Sequence, residues 1–257
     1  MKQFADPFER RFLDAIEHHL DGISEKIKKD FTHKNFLKEL NGLKGDKVYH
    51  DLGFDTAEYT LVRLIGRMSI SVGRRLGEIY DKVPRYVAAA RFGLQPNQIA
   101  EVFDGLELDI ALRNSLLSDD DKIHIKKITE KMSGETYSGI GIEIRYNFNP
   151  NDSSRLRKDV DVASKLSAAG LFPVYLIFSS LSPRNDAIAR LKRGGWSFKQ
   201  GQEALDFLTE LLGVDIGSVL SDPIIAAETR EKTSKIMKSI FESEAFQSVI
   251  PGEWSKL

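Results

Sequence analysis

A chain of 257 residues with 37 Lys and Arg against 38 Asp and Glu carries a formal net charge of −1, and its isoelectric point lies near 6.5. That balance excludes nucleic-acid binding by bulk electrostatics and leaves room only for positive charge gathered in one cleft. Hydrophobic residues at 41%, with 15 Phe and 7 Tyr, exclude global disorder, and the absence of cysteine excludes disulfides and thiolate metal sites and points to a reducing cytoplasm.

The first twenty residues carry no apolar core of the kind a secretory signal needs and read as helix. No apolar run reaches the ~18 residues of a membrane span. Helices are expected over 7–45 and 55–92, the second on the spacing of Leu61, Leu64, Ile65, Met68, Val72, Leu76, Ile79 and Tyr80. Pro84 interrupts that pattern and Gly93 stops it. Pro96-Asn97 opens a short helix over 96–103. A strand over 106–113, a charged segment over 115–133 and a second strand over 137–147 follow. Asn147 to Ser154 is a polar loop, and an amphipathic helix over 155–169 ends at Gly170. Pro173 to Phe178 is a continuous apolar strand of the kind buried on both faces. Ser182-Pro183-Arg184-Asn185 opens a helix over 183–192, Gly194-Gly195-Trp196 is a turn, and helices cover 201–212 and 223–245. This order gives an α/β chain leaning to α+β, a mixed sheet flanked by helices. It divides into a helical region suited to dimerisation (1–95), an α/β core (96–222), and a C-terminal helix and tail (223–257).

Two apolar strands carry acids. In Gly139-Ile140-Gly141-Ile142-Glu143-Ile144-Arg145 the period of 2 puts Glu143 and Arg145 on one face, about 6.6 Å apart, with Ile142 and Ile144 turned into a core. In Leu106-Glu107-Leu108-Asp109-Ile110-Ala111-Leu112 the acid is Asp109, preferred because Ile110 and Leu112 continue the strand beyond it; Glu107, facing the same way, competes for the role. Carboxylates on adjacent strands suit Mg²⁺, which takes carboxylate and water oxygens, with the Ile144 carbonyl a third ligand. The alternative is a surface acid paired with Arg145. Glu78, on the preceding helix, either joins the metal shell or pairs with Arg74 or Arg75.

Asp119, Asp120 and Asp121 lack the Gly and distal Glu of a calcium loop and read as a solvated helix start with Asp as cap. The five His residues make no zinc pattern. Asn147, Asn149, Arg155, Arg157 and Lys158 leave the Glu143 strand directly and suit base readout, Asn on adenine and Arg on guanine; a plain solvated loop is the other reading. Arg184 and Asn185 follow the third strand. Arg190, Lys192 and Arg193 suit phosphate contacts, which position without specifying sequence.

From about residue 60 to 222 the chain resembles the ApaLI-like type II restriction endonucleases, a branch of the PD-(D/E)xK nucleases. The resemblance rests on Gly66-Arg67-Met68-Ser69 through Gly73-Arg74-Arg75-Leu76-Gly77-Glu78, on Ile142 to Tyr146, on Ala168 to Val174 running into Leu176-Ile177-Phe178, and on Gly194-Gly195 followed by Gly201 to Phe207. It implies a restriction-endonuclease-like fold in a homodimeric, Mg²⁺-dependent prokaryotic enzyme that cuts double-stranded DNA at a short palindrome. Asp109, Glu143 and Arg145 would be its catalytic residues, and Asp109, Glu143 and Glu78 its metal ligands. The family pattern has Lys where this chain has Arg145, and Arg does not deprotonate near neutral pH. A sequence-specific DNA-binding protein on the same fold, its cleavage lost through Arg145, is therefore the second reading. A helical protein-interaction module with no nucleic-acid role is the third.

Overall fold

The computed structural model describes residues 7–103, 106–146, 153–180, 185–220 and 223–250. The chain opens with α1 (Pro7–Asp30), α2 (His33–Gly45), α3 (Lys47–Asp51), α4 (Ala57–Phe92) and α5 (Pro96–Ile99). Strands β1 (Val102–Phe103), β2 (Leu106–Glu107) and β3 (Ile110–Arg113) lead to α6 (Asp119–Ser133) and β4 (Gly139–Arg145). Then come α7 (Ser153–Ala168), β5 (Leu171–Ile177), α8 (Asn185–Arg193), β6 (Ser197–Gln200) and α9 (Gln202–Leu212). The chain closes with α10 (Ile216–Leu220), α11 (Pro223–Phe241) and α12 (Glu244–Gln247). The expected class holds: a mixed α/β chain with a helical N-terminal part and a four-stranded sheet flanked by helices. Among the described residues no helix is long and apolar enough to cross a membrane.

Two compact units share the chain, one built on Gly77–Ser221 and the other on Arg10–Leu76 with Asp222–Leu257. The second unit is helical. Its core includes Ile16, Leu20, Ile23, Ile27, Phe31 and Phe36, with Ile236 and Ile240 from α11. Thr32 caps α2 through the Asn35 amide, and Phe31 offers its carbonyl to the Ala245 amide, tying α12 to the α1–α2 turn.

The first unit holds the sheet, in the order β3-β4-β5-β6. β3 runs antiparallel to β4, whereas β4, β5 and β6 are parallel. Such a sheet is buried on both faces. Ile140, Ile142 and Ile144 are fully buried on one face. On the other, α7 and α8 lay Val162, Ala163, Leu166, Ala187 and Leu191 against Ala111, Leu171, Tyr175 and Ile177.

Local differences from the expected elements have physical causes. α4 continues through Pro84 to Phe92 and stops at Gly93, in the left-handed region at φ 64°; a proline removes one helical hydrogen bond and a long, packed helix tolerates the loss. The acid-bearing run of 106–113 is two strands. Leu106–Glu107 pairs with Val102–Phe103, and only Ile110–Arg113 joins the main sheet. The helix expected over 96–103 therefore closes at Ile99. Helices expected as continuous over 7–45 and 223–245 break at residues 31–32 and 242–243. The strand β6 is new, its four residues only half-buried and without apolar alternation. At α6 the cap is Ser118, which accepts from the Asp121 amide, rather than an Asp. Asp121 is buried and paired with Arg91 at 2.8 Å.

Gly139, at the start of β4, admits no side chain: a Cβ there would lie 2.2 Å from the Leu112 carbonyl oxygen and 2.8 Å from Leu171 Cδ2. The backbone oxygen belongs to the β3–β4 ladder and cannot yield as a side chain would. Gly139→Ala is expected to lower stability by about 1–3 kcal/mol, the range for overpacking, read as a shift in the urea midpoint at unchanged slope.

Candidate active site

The site grows out of the β3–β4 ladder. Ile110 pairs with Ile142, so one step back Asp109 stands opposite Glu143. Cross-strand neighbours share a face, with Cβ atoms about 4.5–5.5 Å apart. The Asp109 amide donates to the Ile142 carbonyl at 3.1 Å, extending the ladder by one bond. Beyond it the side chain takes over: Asp109 Oδ2 accepts from the Ile144 amide at 2.6 Å. The carboxylate thus serves as the next carbonyl of a strand that has already turned away, which fixes its position.

Both acids are buried, Asp109 at 3% exposure and Glu143 at 1%. Buried carboxylates require partners. Arg145, on the same face of β4, pairs with Glu143 through Nη2, donates from Nη1 to the Ile144 carbonyl at 3.0 Å, and brings Nη1 to 3.9 Å from Asp109 Oδ2. Asp109, Glu143 and the Ile144 carbonyl, three of the four groups expected as metal ligands, therefore lie around one guanidinium. Burial works against that charge, but its acidic surroundings, Glu143 foremost, outweigh it and hold the Arg145 pKa well above its ordinary value. Arg145 is a permanent cation.

Three participants lie outside the sequence-based expectations. Arg85, on α4, pairs with Asp109 through Nη2 and with Glu107 through Nη1 at 2.7 Å. Tyr175 sits beside Glu143 in the β4–β5 register. Its hydroxyl donates to Asp159 Oδ2 on α7 at 3.1 Å, and burial, then Asp159, push the phenol pKa far upward, so it stays protonated. The Asp159 carbonyl accepts from Trp196 Nε1 at 2.6 Å, and the Trp196 ring meets Tyr175 edge-on at 5.3 Å. Asp109, just before β3, forms one row with Glu143 on β4 and Tyr175 on β5, with Asp159 descending from the helix above. Asp159 carried a legible signal: with Val162, Ala163 and Leu166 it completes the i, i+3, i+4, i+7 face of a helix. Arg85 carried none, because its partners are 22 and 24 residues away.

The other expected residues separate by topology. α4 passes the carboxyl ends of β4 and β5, where a side chain at Gly77 would touch Tyr146 and where Tyr80 stacks at 5.0 Å on Phe178. Glu78 is half-buried on that stretch, but the acids of the site are joined by Arg85, two helical turns later. Arg157 and Lys158 are exposed near the start of α7, and Asn185 is exposed at the start of α8. Both helices leave the carboxyl ends of parallel strands, the end where Glu143 and Arg145 lie and where open α/β sheets bind ligands. Arg190, Lys192 and Arg193 fill the last turn of α8, toward the opposite ends of the strands. Cations there complement the helix dipole, and Lys192 lies 5.9 Å from the Phe198 ring. Asn147, Asn149 and Arg184 lie outside the described residues, as does the side chain of Arg155.

Among the described residues no group of three or more His, Asp or Glu is placed to hold a metal ion. The donor set is two carboxylates and the Ile144 carbonyl. Its chemistry fits Mg²⁺, which binds through one or two carboxylates and keeps several waters. The guanidinium of Arg145 stands in for a cation at the point where these oxygens meet. Compared with protein-family models, curated proteins and solved structures, the chain has no significant match.

Removing Arg145 takes away the guanidinium paired with buried Glu143. Arg145→Met is expected to cost about 3–5 kcal/mol of stability, and adding Glu143→Met to recover most of it, as breaking a buried pair is worse than replacing it. Urea denaturation of both single variants and the double variant measures the coupling; purely additive costs would show that the pair does not stabilise the sheet.

Proposed function

We propose that this chain is a site-specific endonuclease that hydrolyses phosphodiester bonds in double-stranded DNA with Mg²⁺, acting as a homodimer on a palindromic sequence. The observation that carries the reading is the cross-strand pair Asp109–Glu143, converging with the Ile144 carbonyl at the carboxyl end of β4. Bound at Asp109 and Glu143, Mg²⁺ would supply an activated water and neutralise charge on the scissile phosphate. The protein holds these two acids rigidly, one by the ladder bond from Ile144 and the other by the strand itself. Arg145 contributes charge stabilisation to the phosphate and accepts no proton. Exposed Arg157, Lys158 and Asn185 lie at the same end of the sheet and suit contacts to phosphates and base edges. The near-neutral net charge fits an enzyme whose cations are local.

One observation favours a second reading, DNA binding without cleavage. The guanidinium of Arg145 already lies among the oxygens a metal ion would take, whereas a lysine ammonium is a smaller point charge on a flexible stem.

Incubation of mixed-sequence plasmid with enzyme and Mg²⁺ tests the proposal. The parent is expected to give discrete fragments. Asp109→Asn and Glu143→Gln are expected to abolish cutting while keeping duplex binding by anisotropy. Arg145→Lys, which restores the family residue, is expected to match or exceed the parent in single-turnover rate across pH 6–9. Duplex binding without cleavage by either parent or Arg145→Lys would establish the second reading, and no binding at all would leave a protein-interaction role. The dimer predicts a sedimentation coefficient for two chains on the duplex; one chain per duplex would refute it.

A further inference from the structure

Asp109 has one oxygen it cannot release and one it can. Oδ2 accepts the Ile144 amide, and breaking that bond undoes the end of the β3–β4 ladder. Oδ1 is held by Arg85 alone among the described residues. Arg85 is anchored differently from Arg145. Its other terminal nitrogen rests on Glu107, whose side chain is 58% exposed, and its own side chain is 25% exposed. The guanidinium therefore bridges the buried acid and solvent, with a second acid within reach.

Resting on the reading of the site as one for a divalent cation, we propose that Arg85 is the exchangeable counter-ion of Asp109: it neutralises Oδ1 in the metal-free protein and moves onto Glu107 when a divalent cation takes that oxygen. The exchange strands no charge. Asp109 passes from one cation to another, and Arg85 keeps Glu107, near solvent, where a nucleic-acid phosphate can also reach it. Glu107, the competing acid in the sequence, thus acquires a role distinct from metal ligation: it parks the displaced arginine. Arg85 acts through Asp109 and is a positioning residue.

The test is Mn²⁺ titration of the full chain without DNA, read by the paramagnetic resonance signal of the free ion. Arg85→Met is expected to bind Mn²⁺ about tenfold more tightly than the parent, in line with loss of one adjacent charge in a partly buried site. Asp109→Asn is expected to lose binding, and Arg85→Met in the Asp109→Asn background to restore none of it. The second readout is thermal unfolding: Arg85→Met melts below the parent without metal, and Mn²⁺ raises its melting temperature by more than it raises the parent's. Should Arg85→Met fail to fold, Arg85→Lys carries the question. An ammonium lacks the guanidinium fork that meets the two acids with separate nitrogens, and Arg85→Lys is expected to tighten Mn²⁺ binding by a smaller factor. Parent-like affinity in the variant that folds, or equal tightening in the Asp109→Asn background, overturns the exchange while leaving the cation site standing. Absence of Mn²⁺ binding at millimolar concentration in the parent and in both Arg85 variants overturns the cation site and the exchange together.

Discussion

Two carboxylates buried side by side across an antiparallel pair of strands set the terms for the rest of the sheet-bearing unit. Asp109 and Glu143 stand opposite each other at 3% and 1% exposure, and like charges directly opposite on a sheet destabilise it. The neighbouring structure answers that burden. The Ile144 amide holds one oxygen, the Arg145 guanidinium lies between the two acids, and Arg85 is brought in from α4. Even a small residue serves the arrangement. A Cβ on Gly141, the preceding position on the same face, would lie 3.1 Å from Leu166. The close approach of α7 depends on that glycine, and α7 carries Asp159 to Tyr175.

The strand acids were legible because a strand has a fixed period. Once 139–145 reads as β, Glu143 and Arg145 must share a face, and their ion pair follows. The opposition of Asp109 and Glu143 was legible only as adjacency, since register depends on where β3 begins. The run from Leu106 to Leu112 looks like one strand, whereas at Leu108–Asp109 the backbone turns away and the Asp109 side chain accepts the bond a backbone carbonyl would otherwise take. β6 was illegible for a different reason. Ser197-Phe198-Lys199-Gln200 is short and half-buried at the edge of the sheet, where neither alternation nor a continuous apolar run is required. Ser118 is hard to single out as the cap because three Asp follow it and Ser and Asp are equally good caps.

Charge was the least legible property. Arg157, Lys158 and Asp159 are consecutive charged residues, yet the first two are exposed and the third is buried against Tyr175. Helical rotation of 100° per residue separates them. Likewise Arg190, Lys192 and Arg193 look like a nucleic-acid patch until the direction of α8 is known. A helix that leaves the carboxyl end of β5 and returns to begin β6 carries its last turn away from Glu143. Asn185, at its first turn, stays near.

An arginine at position 145 differs from a lysine in character rather than in sign of charge. An ammonium can approach one or two oxygens and can give up a proton when its surroundings favour that; a guanidinium spans several oxygens at once and does not. Arg145 uses that span, meeting Glu143 and the Ile144 carbonyl together and approaching Asp109. Whatever stabilises this closed arrangement must be given back when another cation or a phosphate enters. Under the proposed function, stability of this closed arrangement and affinity for an incoming ion are therefore opposed, the usual tension between a settled structure and a reactive one. Arg85 eases that opposition because its second partner is exposed, and Arg145 sharpens it because all its partners lie within the site. The two arginines thus divide the acids between them, Arg85 pairing with Asp109 and with exposed Glu107, and Arg145 pairing with buried Glu143.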